Sequence, residues 1–383
     1  MDLPKLRFME FDGEWMEHKL GNLCSIFKSG AGITSEQIDD SGDYPVYGGN
    51  GLRGFTSTYT HDGFYLLIGR QGALCGNINR SYGKAYISEH AIAVSGNNLA
   101  DTNWLAYKLD YLKLNRFSES SAQPGLSVNK LVRIEFATPS KPEQTKIANF
   151  LTAVDEKIQL LTEKFDLLAQ YKKGVMQKIF SQELRFKDDD GREFPEWDFV
   201  ELEKVSAKVN KKNKDLSINN VLTNSATQGI VSQSDYFDRN IANQNNLGGY
   251  YIVETDDFVY NPRISANALV GPIKRNHLTI GVMSPLYFVF RFTKGNLNFY
   301  EQYFQTNHWH DYMKSISNTG ARHDRMNITN ESFFGLPLPC PVEKEQLKIS
   351  NFLIAIDDKI TQTQAELDAV KQYKQGLLQQ MFV

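Results

Sequence analysis

PSKPEQTKIANFLTAVDEKIQLLTEKFDLLAQYKKGVMQKIF, residues 139–180, decides the reading of this 383-residue chain, because a near copy, PVEKEQLKISNFLIAIDDKITQTQAELDAVKQYKQGLLQQMF, fills residues 341–382. At a constant offset of 202, Glu143-Gln144 falls on Glu345-Gln346, Ile147 on Ile349 and Asn149-Phe150-Leu151 on Asn351-Phe352-Leu353. Asp155 falls on Asp357, Lys157-Ile158 on Lys359-Ile360, Gln170-Tyr171-Lys172 on Gln372-Tyr373-Lys374, and Gly174 on Gly376. About 18 of the 38 positions 143–180 are identical to 345–382 without a gap, far above chance for two unrelated helical stretches. The chain is a duplication.

Within each copy the apolar residues step by four and three. The first reads Ile147, Leu151, Val154, Ile158, Leu161, Phe165, Leu168, Val175 and Ile179, broken once at Lys172. The second reads Ile349, Leu353, Ile356, Ile360, Leu367, Val370, Leu377 and Met381, interrupted at Thr363 and Lys374. A period of 3.5 is the seam of a left-handed coiled coil. A helix of this length would be about 60 Å long, and its narrow apolar stripe needs a partner. The other copy, tethered in the same chain, is present at high effective concentration. Because each helix follows its own globular segment, an antiparallel pair is expected. Ser140 with Glu143 suggests a capping box at the first helix start, which Val342 does not repeat at the second.

Outward from the helices, a second motif also occurs twice. Leu6-Arg7-Phe8 leads through an acidic turn to Gly13-Glu14-Trp15, and Leu184-Arg185-Phe186 leads through an Asp-rich turn to Glu196-Trp197. Taken alone it reads as a polar linker with an anchoring Trp. Between motif and helix lie two globular segments of different sequence. In the first, 44–47, 64–68, 85–87 and 91–94 are strand-like, punctuated by Gly48-Gly49-Asn50-Gly51, Gly69-Arg70-Gln71-Gly72 and Gly76-Asn77, and 101–114 is helical with Asp101 or Thr102 as cap. In the second, 221–222, 250–253, 258–260 and 286–292 are strand-like and 297–315 is one helix. The fold class is α+β.

Composition narrows the function. A 41% hydrophobic and 12% aromatic content supports real cores. No apolar run reaches about 18 residues and the first twenty residues are not signal-like, so the chain is expected to be cytoplasmic with no membrane partner. Cys24, Cys75 and Cys340 are too dispersed for a zinc site or disulfide framework and read as reduced. A net charge of -3 and a pI near 6.2 argue against nucleic-acid binding by bulk positive charge, leaving local patches or partner subunits. Catalytic signatures fail: Gly76 to Lys84 lacks the spacing and the Ser or Thr of a phosphate loop. Tyr260-Asn261-Pro262-Arg263 lacks the second proline and aromatic of an amino-methylation motif, and His308 and His310 have no third metal ligand nearby.

These residues resemble the specificity subunit of type I restriction-modification systems. The resemblance is carried by the paired Pro-x-x-x-Glu-Gln-x-Lys-Ile starts at Pro139 and Pro341 and the Tyr-Lys-x-Gly patterns at Tyr171 and Tyr373. The Leu-Arg-Phe to Gly-Glu-Trp motif and Ile68-Gly69-Arg70-x-Gly72 add to it, as do Asp257-Phe258-Val259-Tyr260-Asn261-Pro262 and Ser284-Pro285-Leu286-Tyr287. It implies two globular target-recognition domains, 1–138 and 183–338, joined by a central conserved helix, 139–182, and a C-terminal one, 339–383, forming an antiparallel intramolecular coiled coil. Each domain is expected to read one half of a bipartite double-stranded DNA target, while the helices set the spacer. The seam, Ile147, Leu151, Val154, Ile158, Leu161, Leu168, Ile349, Leu353, Ile356, Ile360, Leu367 and Val370, is expected to serve docking of two modification (adenine methyltransferase) subunits.

Restriction subunits, which are ATP-dependent translocases and nucleases, would complete the assembly. The chain itself is expected to be non-catalytic, with no bound metal or cofactor; S-adenosylmethionine, ATP and Mg would sit on partner subunits. Base reading needs Arg, Lys, Asn and Gln on protruding loops. The candidates are Asn50, Arg53, Arg70, Gln71 and Gln123 in the first domain, and Arg263, Asn267, Arg322, His323 and Arg325 in the second. A coiled-coil scaffold linking two protein-binding modules is the alternative, favoured by the acidic pI.

Overall fold

The computed structural model describes residues 3–72, 74–118, 124–233, 244–317 and 324–382. They form two compact units, one made of residues 1–164 and 363–383, the other of residues 165–362. Each unit therefore contains one globular domain, part of the first long helix, Lys141–Phe180, and part of the second, Glu343–Met381. The chain is α+β, and its compact units cut across the linear segments that the sequence suggests.

In the first unit a four-stranded antiparallel sheet runs in the order Cys24–Ser29, Ala91–Gly96, Tyr65–Gly69, Ile78–Ser81. A second four-stranded sheet has the order Gly51–Thr56, Tyr44–Gly48, Lys84–Ile87, His61–Asp62. The strand that leads into the long helix, Glu135–Thr138, pairs antiparallel with Met16–Lys19. Thr102–Tyr111 is a helix because Asp101 caps it, accepting from the Trp104 N–H at 2.9 Å, and because Trp104, Leu105 and Leu109 bury themselves in the core. That core also takes Ile147 and Leu151 from the first long helix and Leu377, Met381 and Phe382 from the end of the second.

The second unit repeats the frame. Ser206–Lys208, Phe288–Phe292, Phe258–Tyr260 and Ile273–Arg275 form a four-stranded antiparallel sheet of the same order. Asp198–Glu201 pairs with Pro337–Cys340, the strand that leads into the second long helix. The core is aromatic, with Phe258, Phe290, Phe299, Tyr300 and Phe333 fully buried, and it takes Met176, Ile179 and Phe180 from the end of the first long helix with Ile349 and Leu353 from the second. In both units the two helix portions run antiparallel. Asp155 and Lys157 meet Lys374 and Glu366 in the first; Lys172 meets Asp357 in the second.

Two expectations change. The single helix over 297–315 is two, Leu297–Tyr303 and His310–Ile316. Between them the Thr306 hydroxyl donates to the Tyr303 carbonyl at 2.7 Å and accepts from the His308 N–H at 3.3 Å, so a side chain takes over backbone partners and ends the helix. The capping box at Ser140 is also replaced: the Glu143 carboxylate accepts from Arg7 and Trp15 instead. All three cysteines are free.

Candidate nucleic-acid interface

The frame that presents the loops is built from one set of contacts made twice. Arg7 grips Glu143 with two hydrogen bonds of 2.7 and 2.8 Å, and Arg185 grips Glu345 at 3.0 and 3.1 Å. The carboxylates, 1% and 0% exposed, need a cation, and the Leu-Arg-Phe motif supplies it. The hydrogen bond to Glu143 raises the Arg7 pKa above its ordinary value. Phe8 and Phe186 then meet Phe150 and Phe352 edge-on at 5.8 and 5.4 Å. The motif is thus a clamp on the helix start, not a linker.

One residue further along, Gln144 accepts from the Asp101 N–H at 2.8 Å and donates to the Pro139 carbonyl; Gln346 accepts from the Asn296 N–H at 2.7 Å and donates to the Pro341 carbonyl. Asp101 and Asn296 are the caps of the domain helices, so each glutamine joins a long helix to its domain. Arg80 and Arg275 hydrogen-bond Asn103 and Asn298 in matching positions. Tyr107 donates to Asp155 and Gln302 to Asp357, at 2.7 and 2.9 Å, and burial pushes the Tyr107 phenol up to about 12.

At the far end of each helix an aromatic ring closes the core. Phe382 packs on Trp104 and Tyr111 in the first unit, and Phe180 on Trp197 and Phe299 in the second. Lys108 is fully buried beside Tyr111, Phe136 and Phe382, its Nζ 5.2 to 5.9 Å from the three ring centres, and burial lowers its pKa to about 8.

On the first unit's frame, four loop candidates share one edge. Asn50 is exposed in the turn that joins Tyr44–Gly48 to Gly51–Thr56. Gly49 lies so close to Gly69 and to the His90 carbonyl that a Cβ there would sit 3.4 Å from the Gly69 Cα and 2.9 Å from that oxygen. Arg53, also exposed, folds its side chain over Gly48, where a Cβ would meet its Cδ at 2.6 Å. Arg70 is held by its backbone, its N–H donating to His90 and its carbonyl accepting from Leu126, each at 2.9 Å; its side chain is half-buried. Gln71 is exposed and bridges to Gly125. His90, which composition and turn signals did not single out, anchors this edge through its carbonyl. Gln123 lies outside the described residues.

In the second unit Arg263 and Arg325 stand opposite each other on an antiparallel bridge, and Asn267 is exposed in the adjoining turn closed by Ser265 and Ala268. Arg263 lies 3.8 Å from Asp324. Asn261 of the Tyr260-Asn261-Pro262-Arg263 stretch holds this loop: it accepts from the Arg263 N–H at 3.0 Å and donates to the Asn224 carbonyl at 3.0 Å. Arg322 and His323 lie outside the described residues. Among the described residues no three His, Cys, Asp or Glu side chains form a metal-holding group, and no helix is long and apolar enough to cross a membrane.

The twelve seam positions divide between the units. Ile147, Leu151 and Leu161 are buried and Val154 and Ile158 half-buried on the first helix, with Leu168 half-buried beyond them. On the second, Ile349, Leu353, Ile356 and Leu367 are buried and Ile360 and Val370 half-buried. These side chains are buried or half-buried, and the other face of each helix is exposed. There Leu160, Leu167 and Tyr171 are 66%, 56% and 54% exposed on the first helix, and Tyr373 is 55% exposed on the second.

Residues 12–170 match the family model of the type I restriction modification DNA specificity domain. The Escherichia coli type I restriction enzyme EcoprrI specificity subunit is 39% identical over 162 residues, a match covering 41% of this chain and 40% of that protein. The matched stretch thus spans about two fifths of that relative's own length. The crystal structure of the type I restriction-modification S subunit from M. genitalium superposes with a TM-score of 0.67 over 100% of this chain and 99% of that one, at 15% identity, which establishes a shared fold.

Proposed function

We propose, from the match of residues 12–170 to the family model of the type I restriction modification DNA specificity domain, that this chain is the non-catalytic sequence reader of a type I complex. Each globular domain reads one half of a bipartite duplex target. The paired helices set the unread spacer and dock two adenine-methylating modification subunits. S-adenosylmethionine belongs to those subunits, and ATP and Mg to any restriction subunits that join them, in the cytoplasm.

The observation that carries this reading is the contrast between frame and loops. The Arg–Glu clamp, the Gln bridge, the sheet order and the Lys–Asp contact recur in both units. The loops that hold Asn50, Arg53, Arg70 and Gln71 have no sequence counterpart in those that hold Arg263, Asn267 and Arg325. Identical frames with different loops suit a protein that reads two different half-sites, since each lost base contact costs about 1–3 kcal/mol and must be aimed with care. Exposed Tyr171 and Tyr373, equivalent under the repeat, would offer two copies of one partner the same contact.

The test is to map methylated adenines genome-wide in cells with and without the gene. Loss of methylation at one bipartite motif on deletion is expected. An unchanged methylome in cells that carry active modification subunits would refute the reading.

A further inference from the structure

A cavity of about 510 Å³ opens in the second unit between the first long helix around Lys172–Gln177 and the loops at 267–274 and 304–310. Lys172, Lys173, Lys274 and His310 line it, and no Asp or Glu is among the described residues that do. Lys172 is already engaged, by Asp357 at 2.7 Å and by Gln305 at 2.9 Å. Lys173 is exposed and Lys274 half-buried, and among the described residues neither side chain makes an ion pair or hydrogen bond. The carboxylate that acts on Lys274 from outside the cavity, Glu301, is held by Arg275 at 3.3 Å and His277 at 2.6 Å. Burial, seconded by the Lys172 charge, accordingly keeps the Lys274 ammonium below its ordinary pKa despite Glu301.

The duplication shows that the frame does not require these two charges. Val259 pairs with Lys274 in the second unit where Leu67 pairs with Asn79 in the first, so Asn79 holds the place of Lys274. At the helix offset of 202, Gln375 holds the place of Lys173. The first unit has amides at both positions. Two ammonium groups with no ion-pair partner among the described residues, facing one cleft with amides on its walls, form an anion site. Asn267 of the base-reading loop is part of the same lining, which makes the cleft continuous with the proposed reading surface.

We infer that this cleft grips a backbone phosphodiester of the DNA beside the second half-site, with Lys173 and Lys274 as its cationic contacts. The inference rests on the proposed function above. It gives the second domain a sequence-independent hold on the duplex that the first domain lacks at the corresponding place, and phosphate contacts of this kind fix register without reading bases.

The test uses the full chain assembled with its modification subunits. Lys173→Gln and Lys274→Asn, which install the first unit's amides, are measured by fluorescence anisotropy on duplexes carrying the target, across a salt series. The double variant is expected to bind about 10-fold more weakly at low salt, with the slope of log affinity against log salt reduced by about 1–2. The loss should be equal for every second-half-site base variant, and the methylated motif unchanged. An unaltered salt slope in a variant that melts like the parent overturns the inference. So does calorimetric binding of tripolyphosphate that the double variant abolishes while DNA binding stays intact, which would assign the cleft to a free phosphorylated ligand. If the parent complex prefers no bipartite site at all, it is the proposed function that fails, and that result is independent of the lysines.

Discussion

Lys172 reaches Asp357, 185 residues away in the chain, with its Nζ 2.8 Å from Oδ2, and under the repeat Lys374 and Asp155 make the same pair. The two lysines that interrupt the apolar seam are therefore its ionic fasteners. Lys172 is 11% and Asp357 37% exposed, so the pair is partly shielded from solvent. Lys172→Met should destabilise the second unit by about 1–3 kcal/mol, because among the described residues Asp357 then keeps only the Gln302 amide. In a unit of this size that lowers its melting transition by about 2–4 °C per kcal/mol. Lys172→Met with Asp357→Leu should recover most of the loss. Equal melting of the parent and the single variant would remove the pair from the account.

The Arg–Glu clamps are more demanding. Glu143 and Glu345 are 1% and 0% exposed, and removing Arg7 or Arg185 leaves a buried carboxylate without its cation. Arg7→Ala or Arg185→Ala should cost about 3–5 kcal/mol, read by chemical unfolding of the corresponding unit. Arg7→Lys should restore only part, since one ammonium cannot reproduce two parallel guanidinium bonds. Full rescue by lysine would show that charge alone suffices.

Lys108 makes a prediction about pH. Burial lowers its pKa from 10.5 to about 8, so the folded chain gives up this proton near pH 8 while the unfolded chain holds it to about 10.5. Between those values the unfolded state binds more protons, and stability rises with pH. Below about pH 8 the whole penalty is present, about 3 kcal/mol as an upper bound. Unfolding of the parent and of Lys108→Met should therefore differ at pH 7, with the variant the more stable, and the gap should narrow towards pH 10.5. A gap constant across that window would contradict the burial assignment.

The helices were the most legible part of the sequence, because a period of 3.5 repeated at one offset leaves little freedom in interpretation. Strands announced by glycine turns and β-branched runs were legible too; Phe258–Tyr260 forms where the residue pattern places it. What could not be read was pairing over distance. The partner of Lys172 belongs to the other helix and Glu143 is 136 residues from Arg7, so neither pair leaves a local pattern in the sequence. The repeat did contain the signal: Arg7 and Arg185 each precede a helix whose start holds a Glu, and a charge kept in both copies beside a kept opposite charge is a candidate pair. The break at Thr306 was hidden for another reason, since a hydroxyl competing for helix carbonyls has no periodic signature. The edge shared by Asn50, Arg53, Arg70 and Gln71 depends on the close approach of Gly49 to Gly69, which two separate glycine turns do not reveal.

The division of labour between the domains is open to direct trial. Arg70→Ala should relax the first half-site and lower affinity about 10- to 100-fold, leaving the second half-site's letters intact. Arg263→Ala should do the converse. Methylome sequencing of each variant reads both outcomes at once. A variant in one domain that changes letters in the other half-site would break the assignment of one domain to one half.

The spacer is tested by lengthening the helices without disturbing either unit. Seven residues inserted after Lys164, matched by seven after Gln362, fall at the boundary between the compact units and leave Lys172–Asp357 and Lys374–Asp155 within their own units. A heptad adds about 10 Å of helix and keeps the seam in phase to within about 20°. If the helices set the gap, the recognised motif should gain about three unread base pairs, at 3.4 Å each, with both half-site sequences unchanged. A heptad inserted in one helix alone puts its seam out of register with the other and should weaken or abolish recognition. A matched insertion that leaves the gap at its original length would show that something other than the helices measures it.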